Sequence, residues 1–345
     1  MGLWILSALF KTSSESPELP RLLILAPENL ISSFASSPQI VRDFEEAHQC
    51  RVEFVAIKNK SLISDAFAPE LTALNPDLVL GIDLISLPEL QRNLGWKPLR
   101  GSGKVEWSEW VKDSVQQRFW PHSWSILTLV YRPSIHNLTI TPRSLSELLT
   151  IIPGESLVLP SPLQNPLGFL FLHWLWQEHT IEAFKLNSDS FTETLEQLKM
   201  VVYKTPNSLK EANKIFQSNE FLVTFEPLSH TISRRLQGNG GEIESLILRR
   251  PHPTYIEYAG IPATCIKCEL AEEFIRTLLL PRSQKQLMQS HHLLPVIRDI
   301  EKNTPFEEIT SIVKELAIHK SNKDLDYQKD RELVLKAWKE IFEID

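Results

Sequence analysis

The chain has 345 residues, 42% apolar and 23% charged, which is ample for a large core or two packed lobes. Its net charge is −7, its pI is about 5.9, and its 36 lysines and arginines are scattered, so the basic surface that a nucleic-acid partner needs is missing. Met1 to Phe10 forms an apolar run of signal-peptide length without a basic flank or a small-residue cleavage site. It reads as an atypical export signal, followed by a Ser/Pro/Glu tether that ends at Pro20. No later apolar run is long enough to span a bilayer, and the longest, Leu167 to Trp176, is interrupted by His173.

Arg21 to Ala26 predicts a first strand broken by Pro27, and Pro38 opens a helix over Gln39 to His48 with Ile40, Val41, Phe44 and Ala47 on one face. Arg51 to Ala56 alternates as a second strand, Ser61 to Leu74 reads as a helix, and Leu78 to Ile82 as a third strand. This β-α-β-α-β order implies a parallel sheet with right-handed crossovers. Leu94 to Phe119 is tryptophan-rich and irregular, and Ser125 to Tyr131 is a long strand. Further on come a short helix from Pro142 to Leu149, a strand at Leu157 to Leu159 and a Pro/Asn loop. A buried helix from Leu167 to His179, a polar helix from Ser190 to Lys199, an amphipathic helix from Lys210 to Gln217 and a strand at Phe221 to Phe225 follow. Gly238 to Gly241 is a turn, Tyr255 to Cys265 contains strand-like residues broken by Gly260 and Pro262, and helices run from Ala271 to Leu280 and from Ser283 to His291. After Val296 the chain is charged and helical, with Ile309, Ile312, Val313, Leu333, Trp338 and Ile341 predicted to pack on the first lobe.

The stretch Asn75-Pro-Asp-Leu-Val-Leu-Gly-Ile-Asp83 combines a turn, a buried strand, a glycine and an acid at the strand's carboxyl end, where open α/β sheets bind ligands. Asp is equally a favoured helix cap, so Asp83 has both readings. Cys265 and Cys268 form a lone CxxC without the second pair of a zinc site, which leaves a disulfide or two free thiols ahead of weak redox chemistry. No G-x-S-x-G, P-loop, G-x-G-x-x-G after a strand, or H-E-x-x-H occurs, so no enzyme signature and no cofactor are expected.

From about Leu22 to Val296 the ordered set of elements resembles the type II substrate-binding proteins of ABC importers, and within them the thiamine-binding group. The resemblance is carried by Asp77-Leu-Val-Leu-Gly-Ile-Asp83, by Val130-Tyr131 with Pro142-Arg-Ser-Leu-Ser-Glu-Leu148, by Asn165-Pro-Leu-Gly168, and by Leu270-Ala-Glu-Glu-Phe274 through Leu294-Pro-Val296. It implies an α/β fold of two lobes, each a mainly parallel sheet flanked by helices, joined by a two-segment hinge. Residues 21–123 with 258–345 would form lobe 1 and residues 124–257 lobe 2, after the leader at 1–20. It also implies a periplasmic, monomeric, non-enzymatic protein that passes a small molecule, thiamine or a related cation, to permease subunits. Carried over position by position, the family's binding residues fall at Glu28, Asp83, His122, Trp124, Gln164, Asn165, Asn207, Phe225, Glu226 and His292.

In that reading Asp83 and Glu226 pair with a cationic ligand, Trp124 and Phe225 stack on it, and Gln164, Asn165 and Asn207 hydrogen-bond to it. Two alternatives stand beside it. His122, His230, His291 and His292 with Asp83 and Glu226 would suit iron or zinc. A diverged member that has lost its ligand would act as a sensor or partner-binding module through its charged tail.

Overall fold

The structure is a computed structural model that describes residues 19–57, 71–136, 142–186, 191–238, 242–248, 251–315 and 327–342. The leader reading, most of the helix expected from Ser61 and most of the Gly238–Gly241 turn lie outside the described residues.

β1 (Arg21–Ala26), β2 (Arg51–Ala56) and β3 (Leu78–Asp83) pair in parallel, with β1 in the middle. Parallel strands need a crossover over one face, and α1 (Glu28–Ser36) and α2 (Gln39–His48) supply it between β1 and β2. α1 is absent from the sequence reading, because Ser32, Ser33 and Ser36 leave its buried face, Leu30, Ser33 and Phe34, without a continuous apolar stripe. α3 (Leu87–Asn93) follows β3.

β4 (Phe119–Tyr131) is thirteen residues long and almost wholly buried. The sequence predicts only its second part, since Pro121 argues against a central strand. The structure resolves the conflict with a register irregularity between Pro121 and Ser123, where a proline needs no ladder partner. After α4 (Leu145–Ile151) come β5 (Leu157–Val158), α5 (Pro166–Leu186), α6 (Phe191–Val201), β6 (Val202–Lys204), α7 (Leu209–Ser218), β7 (Val223–Pro227), α8 (Leu228–Leu236) and β8 (Glu244–Leu246). β5 lies parallel to both β6 and β7, and β8 pairs with β4.

β9 (Thr254–Gly260) returns the chain antiparallel to both β3 and β4. The full order is β2-β1-β3-β9-β4-β7-β5-β6. β4 is therefore shared. Its first part pairs with β9, and through it with the β1–β3 section; its second part pairs with β7 and β8. α9 (Cys268–Leu278), α10 (Pro281–His291), α11 (Glu307–Glu315) and α12 (Tyr327–Phe342) complete the chain.

One expectation is corrected. α12 packs against α5 and α6, in the section that follows β4, rather than on the β1–β3 section. Its Val334 and Trp338 are buried, and Tyr327 lies 4.7 Å from the His173 ring of α5. The helix turns its apolar stripe to whichever surface is complementary, and the sequence pattern alone does not say which.

The tryptophans belong largely to the core. Trp107 meets Trp120 edge-on at 6.0 Å, Trp110 stacks on Trp124 at 6.2 Å, and Trp96 packs on Phe119 at 4.8 Å. Cys265 and Cys268 form a disulfide at the start of α9, which settles the alternative left open by the sequence. Asp77 holds the same loop, accepting from the Ile266 and Lys267 N–H groups through Oδ1 and from the Leu23 N–H through Oδ2.

Candidate functional site

Strand direction locates the site. β3 and β4 both run antiparallel to β9, so they point the same way, whereas β7 opposes β4. The carboxyl ends of β3 and β7 therefore face each other along β4. Asp83 pairs with Glu257, which pairs with Ser123, while Pro227 pairs with Leu127. The two ends are offset by the four residues from Ser123 to Leu127, roughly 13 Å at the usual rise of a strand. The return segment lands at the same level, where Leu294 exchanges backbone hydrogen bonds with Trp124 at 2.7 and 3.1 Å. That contact brings in the carboxyl end of α10 and its two histidines.

A buried polar network fills this meeting point. Glu257, on β9, is 1% exposed. Its Oε2 accepts from Ser123 Oγ at 2.9 Å and lies 2.8 Å from His291 Nε2; its Oε1 accepts from Tyr255 Oη at 3.0 Å. His291 Nδ1 lies 3.0 Å from Ser33 Oγ of α1. His122 Nε2 accepts the Gly81 N–H at 3.1 Å, so the ring's proton sits on Nδ1, which faces Ser123 Oγ at 3.2 Å. One carboxylate thus ties together β3, β4, β9, α1 and α10.

The charges follow from this packing. Burial alone would raise the Glu257 carboxyl, but the charge and hydrogen bond of His291, with His122 and Ser123 behind them, bring it down to about 2. Burial, with repulsion from His291, holds His122 down to about 4 against the pull of Glu257. His230 of α8 drops to about 3, chiefly by burial and then by repulsion from His291, His292 and Arg234.

Asp83 has both of its sequence roles. Its Oδ1 accepts from the Ile85 and Ser86 N–H groups, each at 2.9 Å, and its Oδ2 from Ser86 Oγ at 2.8 Å, so it caps the turn into α3. It also stands across the ladder from Glu257, and burial followed by that neighbour's charge raises its carboxyl despite the Ser86 and Ile85 bonds. The other candidates divide. His122 and Glu226 are buried beside the meeting point, and His292 caps α10 in the left-handed region (φ 59°) with Nδ1 2.9 Å from Ser233 Oγ. Glu226, 0% exposed, accepts from Thr231 Oγ1 at 3.0 Å and pairs with Arg234. Burial raises its carboxyl, against the pull of Arg234 and Thr231.

Trp124 and Phe225 differ from expectation. The Trp124 ring is 1% exposed and donates its N–H to Pro295 O at 2.9 Å, and Phe225 is 0% exposed beside Phe171 and Trp174. Successive strand residues point to opposite faces, so Phe225 and Glu226 cannot both face one ligand. The rings are core contacts in this arrangement.

Asn165 caps α5, its Oδ1 accepting the Leu167 N–H at 2.9 Å; Gln164 and Asn207 are exposed in the loops after β5 and β6, and Glu28 is exposed at the start of α1. Since β5, β6 and β7 are parallel, Gln164, Asn165 and Asn207 share the carboxyl edge of Glu226. Ser161 N–H donates to Pro206 O at 2.8 Å and holds the two loops together.

Sequence reasoning misses Glu257. Its signal is an acid between Ile256 and Tyr258 within a buried strand, which requires a partner that the sequence cannot name. The metal reading brings its histidines into one neighbourhood, with the His230 and His292 rings 6.2 Å apart. Among the described residues, however, no three His, Cys, Asp or Glu side chains converge as metal ligands.

No protein-family model matches the chain. Its fold is that of the periplasmic binding proteins. It superposes on a periplasmic thiamin-binding protein with a TM-score of 0.78 at 17% identity, covering 94% of this chain and 96% of that one. It superposes on the apo ferric ion-binding protein A of Pasteurella haemolytica with a TM-score of 0.69 at 14% identity, covering 93% and 97%. Within that class, the chain resembles the thiamine-binding group. It is 21% identical over 310 residues to the thiamine-binding periplasmic protein of Haemophilus influenzae, 85% of each chain, and 24% identical over 283 residues to that of Brucella abortus, 80% and 79%. Like these relatives it is a periplasmic solute-binding protein and not an enzyme. Among the described residues no helix is long and apolar enough to cross a membrane.

Proposed function

We propose that the protein captures a small cationic molecule, thiamine or a close relative, between two lobes that meet at the middle of β4, and delivers it to the permease subunits of an ABC importer as a monomer. Residues 21–123 with the return segment from 258 form one lobe and residues 124–257 the other, hinged where β4 and β9 pair across Ser123, Trp124, Ile256 and Glu257. α12 is the exception to that division, since it packs on the second lobe.

One observation carries this reading: the carboxyl ends of β3 and β7 oppose each other around a cluster in which acids outnumber permanent cations. Asp83, Glu257 and Glu226 are faced by Arg234 and by His291, whose charge depends on protonation. A ligand cation entering between Asp83 and Glu226 would relieve the repulsion among these carboxylates and form charge-assisted hydrogen bonds away from water. Tyr255, His230 and His292 are only partly buried and supply polar rings for a flat heterocycle.

The comparisons support thiamine as the first ligand to try. Calorimetry with thiamine, its monophosphate and its pyrophosphate tests this directly. We expect saturable binding of at least one of the three, weakened at least about tenfold by Asp83→Ala, the weight of one charge-assisted contact. Absence of heat with all three sinks the thiamine reading, and unchanged affinity in the variant removes Asp83 from the site.

A further inference from the structure

The C-terminal helix touches both sides of the β4 midpoint, which packing onto one lobe does not require. It is anchored on the second side. Val334 and Trp338 are buried against the core, Lys199 Nζ of α6 donates to Ile341 O at 2.6 Å, and Asp330 lies 3.7 Å from His173 Nε2 of α5. Its Arg331 reaches to the first side, where Nη1 lies 3.4 Å from Glu89 Oε2 on α3, a few residues beyond Asp83. Both side chains are largely buried, at 11% and 16% exposure, so this is not a solvated surface pair. The start of the helix lies at the strand crossing itself. Tyr327 shares a small cavity with His173, Trp174, Pro253 and Thr254, and Thr254 pairs with Ile126 at the middle of β4. The ladders of β9 are irregular a few residues beyond that pair, toward the first side. The β4–β9 register shifts between Pro121 and Ser123, and the β3–β9 register shifts between Val79 and Ile82. Strands bend and twist most readily at such irregularities.

We propose that α12 is a hinge brace, fixed to the second lobe and clipped to the first by Arg331–Glu89, which holds the two lobes at one angle and must release for the cleft to open. This rests on the two-lobe reading above. Closure and release would then exchange a desolvated ion pair for two solvated charges, a two-state contact of the kind that hinge motions use. The exposed Arg235–Glu308 pair between α8 and α11, at 3.6 Å, is a second cross-link of little weight by comparison.

The test measures the distance between nitroxide labels at Glu46→Cys on α2 and Lys214→Cys on α7, both exposed positions, by pulsed electron resonance. Wild type is expected to give one narrow distribution, and Arg331→Gln a broader one with a longer population. The charge-swapped pair Glu89→Arg with Arg331→Glu is expected to return to the narrow form, which a merely structural loss would not do. If the wild-type distance shifts with added thiamine or low urea but Arg331→Gln tracks it throughout, the lobes move and the brace is overturned. If no variant or condition changes the distance, the two-lobe reading falls and the brace falls with it.

Discussion

Glu257 and Glu226 are both completely buried carboxylates, one on each side of the β4 midpoint, and their surroundings push them in opposite directions. Glu257 receives contacts at both oxygens, from Ser123, Tyr255 and His291, and is held down to about 2. Glu226 has Arg234 and Thr231 on one oxygen only; among the described residues its Oε2 has no hydrogen-bond partner, and burial raises its carboxyl. Arg234 and Thr231 do not offset the desolvation of Glu226, whereas at Glu257 the charge and hydrogen bond of His291, with the His122 charge and the Ser123 bond, outweigh it. Glu257 is therefore a structural centre, and Glu226 is a carboxylate with unused capacity beside the proposed cleft.

The two sections also share a device at their carboxyl edges, a glycine against a proline. A Cβ on Gly168 would lie 1.9 Å from Pro160 O, a backbone atom that cannot step aside. A Cβ on Gly81 would lie 2.6 Å from Pro27 Cδ, and Gly81 has φ +70°. Gly168→Ala is expected to have the largest effect of any change considered, loss of soluble folded protein or destabilisation above about 4 kcal/mol, because the start of α5 must leave the β5 loop. Near-native melting of that variant would break the parallel between the two edges.

Next in size, Glu257→Gln is expected to cost about 3 kcal/mol in urea unfolding at pH 7, since it leaves His291 buried without its carboxylate. The pH dependence should carry the same mark. The folded value of about 2 lies below the ordinary 4.5, so this contribution is complete above about 4.5 and is lost as pH falls toward 2. His122, at about 4 against 6.5, adds a loss that begins at higher pH, because protonation favours the unfolded chain. Wild type should therefore lose stability steadily below pH 6.5, and Glu257→Gln should flatten the portion below 4.5. An unchanged acid limb in the variant contradicts the assignment.

Gly81→Ala should follow, at about 2 kcal/mol from the left-handed φ and the clash with a proline ring that has some room to shift. It should weaken any ligand binding at Asp83 as well, since Gly81 N–H fixes His122. Glu226→Gln should be the mildest, at about 1 kcal/mol near neutral pH. A raised carboxyl contributes most below its ordinary value and loses that contribution as pH rises, so this variant should flatten the profile above 4.5 rather than below it. Thermal melts across pH 3 to 8 for the two glutamate variants, side by side, decide whether the contrast between the carboxylates is real.

Much of the framework was legible in the chain. Period-2 and helical patterning located β1, β2, β3, β7, α2, α7 and α10, and the turn-strand-Gly-acid run singled out Asp83. Patterning failed where serines or a proline interrupt a buried element: the serines of α1 and Pro121 within β4. It failed too for β6 and β8, which are only three residues each and too short to show a period.

The sequence by itself determined most of the order of elements, the first parallel crossovers, and an acid at a strand's carboxyl end, because these depend on local sterics and on residues close together in the chain. Only the tertiary structure decided that β4 is shared, that the ends of β3 and β7 oppose each other along it, and that His122, Glu257 and His291 form one network. Glu257 is 134 residues from Ser123 and 34 from His291. No local pattern links such positions. Their partnership exists because burial removes water and leaves each polar group only the neighbours that the fold supplies.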